Sequence, residues 1–141
     1  MARRLLSGSA VLRRPRARVL VVEDHDETRD VVAMLLRTEG YEVVLAPDGD
    51  AAVAAAHASR PQIAIVDIFL PREDGVAVIE ELVRDLPSLA IIAVSADTRE
   101  DRLGALMRAR SAGAHLTLRK PLEPWVLLKA VESASGSVRT A

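Results

Sequence analysis

The stretch Gln62-Ile-Ala-Ile-Val66-Asp67-Ile-Phe69-Leu-Pro71-Arg-Glu-Asp74-Gly75 decides the fold. Its first part, Gln62 to Val66, reads as a strand, apolar and mostly β-branched from Ile63 on. The run stops at a carboxylate, Asp67. Pro71 and the Asp74-Gly75 pair then break the chain. From Val76 to Asp85 the apolar spacing becomes helical. Strand, polar loop and helix in this order make the repeating unit of an α/β sheet with helices on both faces.

Working outward, the same unit recurs in both directions. Upstream, Val19 to Val22 is an apolar run of the kind buried on both faces, and it ends at the acidic loop Glu23-Asp24-His25-Asp26. The helix that follows has Val31, Met34, Leu35 and Thr38 on one face and Gly40 in the place of a C-terminal cap. Tyr41 to Leu45 is a strand. Asp48 to Ser59 is an alanine-rich helix with Asp48 as its cap and Pro61 beyond its end. Downstream, the strand Leu89 to Val94 ends at Ser95, and Arg99 to Ala112 is a helix. Ala114 to Leu118 is a short strand next to Lys120-Pro121, and Glu123 to Glu132 is the last helix. Five such pairs predict one α/β domain built on a doubly wound, five-stranded parallel sheet.

Length and composition agree with a single domain. The chain has 141 residues, half of them hydrophobic, which is enough for one core and too little for two ordinary ones. The predicted division is a basic tail at 1–17, the domain at 18–134 and a flexible tail at 135–141. The first segment carries five arginines and no acid; a passive role for it outweighs that of a phosphate-binding or partner-binding arm. A net charge of −1 gives no global reason to bind nucleic acid or an anionic membrane. Cysteine is absent, which limits chemistry more than location: it removes thiol chemistry and fits a reducing cytosol, and the cytoplasm is the expected location. No apolar run approaches the roughly 20 residues that cross a bilayer.

Ligands of open α/β sheets bind beyond the carboxyl ends of the strands. The polar residues of this sequence concentrate there: Glu23 and Asp24 after the first strand, Asp67 after the third, Ser95 after the fourth and Lys120 after the fifth. Three converging carboxylates repel one another unless a cation joins them, and hard oxygen ligands at an open site select Mg²⁺. Lys120 brings a point charge and Ser95 a hydroxyl donor to the oxygens of a bound phosphoryl group. Asp67, alone at the end of the central strand, is the best nucleophile, whereas the adjacent Glu23 and Asp24 are better placed to hold metal. Only two of the nineteen basic residues are lysines, and one of them falls at this place. His25, His57 and His115 read as surface or partly buried polar groups, Asp74-Gly75 as a turn and helix cap, and Trp125 as a packed side chain of the last helix.

With these residues in this order, residues 18 to 132 resemble the receiver domains of two-component response regulators. The resemblance rests on Val21-Val22-Glu23-Asp24, Val66-Asp67-Ile-Phe-Leu-Pro71-Arg-Glu-Asp74-Gly75, Ser95-Ala96 and Lys120-Pro121. It implies a flavodoxin-like sheet in the order 2-1-3-4-5 and transfer of a phosphoryl group to Asp67 from a histidine kinase or phosphotransfer protein. It further implies Asp24 and Asp67 as Mg²⁺ ligands, Glu23 acting through water, the carbonyl of Phe69 as a further ligand, Lys120 paired with the phosphoryl group and Ser95 moving toward it. Pro121 would carry a cis peptide. Output would be contact with a protein effector. A homodimer, where one forms, would use helix four, strand five and helix five. The domain would promote its own phosphorylation and dephosphorylation without being an enzyme on a separate substrate.

Two departures stand out. Thr117 occupies the place where most receivers have a switch aromatic, and the segment from Ser95 to Gly113 is about three residues longer than the common form, nearly one more turn of helix four. Both resemble small stand-alone receivers, with no output domain of their own. Phe69 stands where many receivers carry a small or polar side chain, which predicts slow self-dephosphorylation. Rival functions fit less well. A haloacid dehalogenase-type phosphatase needs an aspartate at position 69, and a nucleotide binder needs a glycine-rich loop where Glu23 and Asp24 would repel phosphates. A pseudo-receiver, acting unphosphorylated as an interaction module, is favoured by Thr117 alone.

Overall fold

The computed structural model describes residues 16–96 and 102–140. The apolar runs form five strands, β1 (Arg18–Val22), β2 (Glu42–Ala46), β3 (Ile63–Asp67), β4 (Ala90–Ser95) and β5 (Leu116–Arg119). Between and after them lie α1 (Asp26–Thr38), α2 (Gly49–Ser59), α3 (Gly75–Asp85), α4 (Arg102–Ala112) and α5 (Pro124–Thr140). The strands are parallel and ordered β2-β1-β3-β4-β5, the order the resemblance implies.

Every residue of β3 and β4 is buried, because helices cover both faces of the sheet. Successive side chains point to opposite faces, so each strand feeds two cores. Leu20, Val22, Ala64, Val66, Ile91 and Ala93 pack under α2, α3 and α4. Val19, Val21, Ile63, Ile65, Ile92 and Val94 pack under α1 and α5. Truncating one of the fully buried side chains, such as Ile91, to alanine costs about 2–5 kcal/mol. Ala52 and Ala56 are fully buried, so α2 sits close to the sheet as its composition predicts. The caps also hold. The Asp48 carboxylate accepts from the Ala51 N–H at 2.8 Å and that of Asp74 from the Val76 N–H at 2.9 Å, each worth about 1 kcal/mol. Gly40 follows α1 at φ 91°, a left-handed conformation that glycine adopts without strain.

Four features differ from the sequence reading. The buried face of α1 is Val32, Ala33 and Leu36, while Val31 and Met34 are exposed. Residues 31–36 are all apolar, so periodicity alone does not select the phase. Trp125 is not packed: it is 68% exposed, because α5 buries Leu127, Ala130, Val131 and Ala134, and a residue two positions before Leu127 lies on the opposite side of a helix. α5 continues to Thr140 rather than ending at Glu132. Arg16 and Ala17 belong to the ordered chain. The Arg16 N–H donates to the Gly40 carbonyl, its guanidinium lies 4.9 Å from the Tyr41 ring centroid, and the Ala17 carbonyl accepts from Glu42. The rest of the basic tail, 1–15, lies outside the described residues, as do Ala141 and the predicted start of helix four at Arg99. From Arg102 on, α4 runs for 11 residues, as α2 and α3 do.

Candidate functional site

The strands end in register, and this assembles the site. Val22 pairs with Val66, Asp67 with Val94, and Ser95 with Arg119. Asp67 and Ser95 are therefore the last residues of β3 and β4, and Glu23, Asp24 and Lys120 are the first ones past β1 and β5. Glu23 and Asp67 are each only 5% exposed. Lys120 Nζ stands 2.8 Å from Glu23 Oε1 and donates to Asp67 Oδ2 at 3.0 Å. Carboxylate oxygens of Glu23, Asp24 and Asp67 lie within 4.8 Å of one another, the one such group of potential metal ligands among the described residues.

The free oxygens are also held. Asp67 Oδ1 accepts from the Phe69 N–H at 2.9 Å and Glu23 Oε2 from the His25 N–H at 3.0 Å. From α1, Arg29 grips the acidic loop, donating to the Glu23 carbonyl at 2.9 Å and to Asp26 Oδ1 at 2.6 Å. Ser95 is fully buried, yet its Oγ has no hydrogen-bond partner among the described residues. An unpaired buried hydroxyl costs about 1–3 kcal/mol. Thr117, half-buried on β5, pairs in register with Ala93.

Burial pushes the Glu23 carboxyl above its ordinary range and the Asp67 charge adds to this, against the pull of Lys120 and the His25 N–H. For Lys120 burial acts downward, but its hydrogen bonds to Glu23 and Asp67 prevail and hold the ammonium above the usual lysine value. The cation is firmly charged; the carboxylates are incompletely compensated. Three carboxylates gathered around one ammonium carry a surplus of negative charge, which a divalent cation would neutralise. Together with the all-oxygen donor set, this surplus fits Mg²⁺.

Gly75 shapes the loop beside Asp67. A Cβ there would lie 2.3 Å from Ile68 Cα and 2.4 Å from the Asp67 carbonyl oxygen, so the start of α3 rests directly on the end of β3. Sequence reasoning took Asp74-Gly75 as turn and cap. Asp74 is a cap; the close approach of Gly75 was not foreseen, nor was Arg29, although its position three residues after Asp26 was a usable signal. The peptide between Lys120 and Pro121 is cis. Of the histidines, His57 pairs with Asp85 at 2.9 Å and His115 Nδ1 accepts from the Ile91 N–H at 3.1 Å. Beside Lys120, a groove of about 640 Å³ runs between α1 and α5, lined by Val31, Val32, Leu35, Leu122 and Leu127.

This register and cluster agree with what comparison reveals. The sequence profile of the response regulator receiver domain matches residues 19–132. The chain belongs to this family. Among its relatives, the transcriptional regulatory protein PdtaR of Mycobacterium tuberculosis is 38% identical over 125 residues, covering 86% of this chain and 58% of that protein. An uncharacterized 14.6 kDa protein of Leptolyngbya boryana is 33% identical over 81% of this chain and 86% of its own length. Of solved structures, a CheY-like receiver domain protein from Methanospirillum hungatei superposes with a TM-score of 0.82 at 26% identity, over 89% of this chain and 98% of that one. The receiver thus spans nearly all of some relatives and a little over half of PdtaR, and only 38% of the regulatory protein TcrX of Mycobacterium tuberculosis.

Proposed function

We propose that this receiver accepts a phosphoryl group on Asp67 from a histidine kinase or phosphotransfer protein, with Mg²⁺ held by Asp24 and Asp67, by Glu23 through water and by the Phe69 carbonyl. The observation that carries the reading is the bridging of Asp67 and Glu23 by Lys120 at 3.0 and 2.8 Å. An ammonium already fixed against the attacking carboxylate is in place for the oxygens of an incoming phosphoryl group. Asp67 attacks phosphorus through a carboxylate oxygen, the P–N bond of the donor's phosphohistidine breaks, and the imidazole keeps the electron pair. Mg²⁺, when bound, offsets the charge of the phosphoryl oxygens and lets the anionic nucleophile and donor approach. Lys120 follows the phosphoryl oxygens, and Ser95 Oγ, which has no partner among the described residues, turns its hydroxyl toward one of them.

Signalling then follows from a population shift driven by these new contacts and is read by a protein effector, without direct contact to nucleic acid or membrane. The chain works in the cytoplasm and, apart from promoting its own phosphorylation and dephosphorylation, is not an enzyme. No helix among the described residues is long and apolar enough to cross a membrane. The test is incubation with acetyl phosphate, with and without Mg²⁺, followed by intact mass on wild type and Asp67→Asn. A Mg²⁺-dependent gain of one phosphoryl group, lost in the variant, is expected. No gain in wild type would overturn the proposal and leave an unphosphorylated interaction module.

A further inference from the structure

The loop between β3 and α3 serves Asp67 directly, through the Phe69 N–H on its Oδ1, yet its outer part is exposed at Pro71 and Arg72. Three contacts among the described residues help to tie it down. Leu70 is buried in the core under α2, α3 and α4, and the Gly75 N–H donates to the Ile68 carbonyl at 3.2 Å. The third tie leaves the loop altogether: Glu73 Oε2 accepts from the Gly49 N–H at 2.7 Å, at the start of α2.

This contact matches the needs of both partners. The first turn of a helix has N–H groups without intrahelical acceptors, and its positive dipole end favours a carboxylate. Asp48 covers the Ala51 N–H, and Glu73 takes that of Gly49. Gly49 is what lets the carboxylate sit there. A Cβ at this position would lie 2.1 Å from Glu73 Oε1 and 2.7 Å from Val78 Cγ2. Glu73 and Asp24 line the same groove of about 480 Å³ between the loops, so the tie spans the edge of the carboxylate cluster.

We infer that Glu73 is a positioning residue for the acid site: seated on the N-terminus of α2, its carboxylate holds the β3–α3 loop where Phe69 meets Asp67. The inference rests on the reading of Asp67 as a Mg²⁺-dependent phosphoacceptor. Loss of the tie lets the loop sample other positions, so the cluster binds Mg²⁺ less tightly even though Glu73 itself touches no ion. Partners that orient metal ligands in this way are typically worth 10- to 100-fold in affinity.

The test is Mg²⁺ titration by calorimetry, with amide hydrogen exchange at Phe69, on wild type, Glu73→Leu, Glu73→Gln, Gly49→Ala and the double variant Gly49→Ala/Glu73→Leu. Glu73→Leu should weaken Mg²⁺ about tenfold and speed exchange at Phe69. Glu73→Gln keeps an acceptor for Gly49 and should lose only the charge–dipole part, about threefold. Gly49→Ala should reproduce Glu73→Leu, and the double variant should bind Mg²⁺ no more weakly than either single one. A Glu73→Leu chain that melts earlier but keeps wild-type Mg²⁺ affinity and Phe69 exchange would overturn the inference alone. A wild-type chain that binds no Mg²⁺ would overturn it together with the phosphoacceptor reading.

Discussion

Replacing Lys120 by methionine keeps the length of the side chain and removes its charge, leaving Glu23 and Asp67 facing each other with side chains only 7% and 6% exposed. Breaking a fully buried pair by removing one partner costs about 3–5 kcal/mol. Here the Lys120 side chain keeps 27% of its exposure, and each carboxylate retains one backbone donor, so the cost should fall to about 2 kcal/mol. A divalent ion restores the missing charge. Mg²⁺ should therefore recover most of the loss, and its affinity for the variant should exceed that for wild type by about tenfold, equivalent to 1.4 kcal/mol. The assay is urea unfolding followed by far-ultraviolet circular dichroism, at zero and saturating Mg²⁺; Trp125, at 68% exposure, is a poor fluorescence reporter of unfolding. An equal stability loss with and without Mg²⁺, at unchanged Mg²⁺ affinity, would refute the argument that Lys120 and the metal compensate the same buried charge.

Gly75→Ala should cost about 3 kcal/mol in urea unfolding, the upper range for overpacking, because the added methyl meets backbone rather than a side chain that can yield. The same variant should be phosphorylated by acetyl phosphate more slowly than wild type. Glu23 has a raised carboxyl pKa in the fold, so its protonation favours the folded state: without Mg²⁺, its contribution to stability is full below the ordinary value of 4.5 and is lost as pH rises through the higher folded value. Glu23→Gln should flatten stability against pH from 4.5 upward, as measured by unfolding across pH, with no flattening counting against the burial argument. Phe69, half-buried against the core, should screen the phosphorylated Asp67 from water. Phe69→Asn should shorten the lifetime of the phosphorylated chain in a mass-spectrometric time course, and an unchanged lifetime would remove Phe69 from the account.

Much of the site was legible in the chain itself. Asp67 and Ser95 end buried strands, and an unbroken apolar run followed by a lone polar residue marks such an end by residue type and order alone. Lys120 was legible through the scarcity of lysine. Asp48 and Asp74 announced helix starts because capping is a local interaction, completed within three residues. Local logic failed where several answers were locally equivalent. Six consecutive apolar residues at 31–36 allowed two phases of α1, and burial of Val32 and Leu36 rather than Val31 and Met34 was settled by which side faces Val19 and Val21. Trp125 was read as a packed side chain of the last helix, although the positions α5 buries begin two residues later.

The sequence by itself determined the alternation of strands and helices, the two-faced burial of β1, and the acidic, basic and hydroxyl residues gathered at the strand ends. These depend on residue type and short-range spacing. The tertiary structure alone decided the distances between groups far apart in the chain: Lys120 set between Glu23 and Asp67, Gly75 pressed on Ile68, and the Glu73 carboxylate seated on Gly49 across 24 residues. The reason is physical. Such contacts depend on strand register, helix crossing and close packing of the whole domain, and no local propensity encodes them.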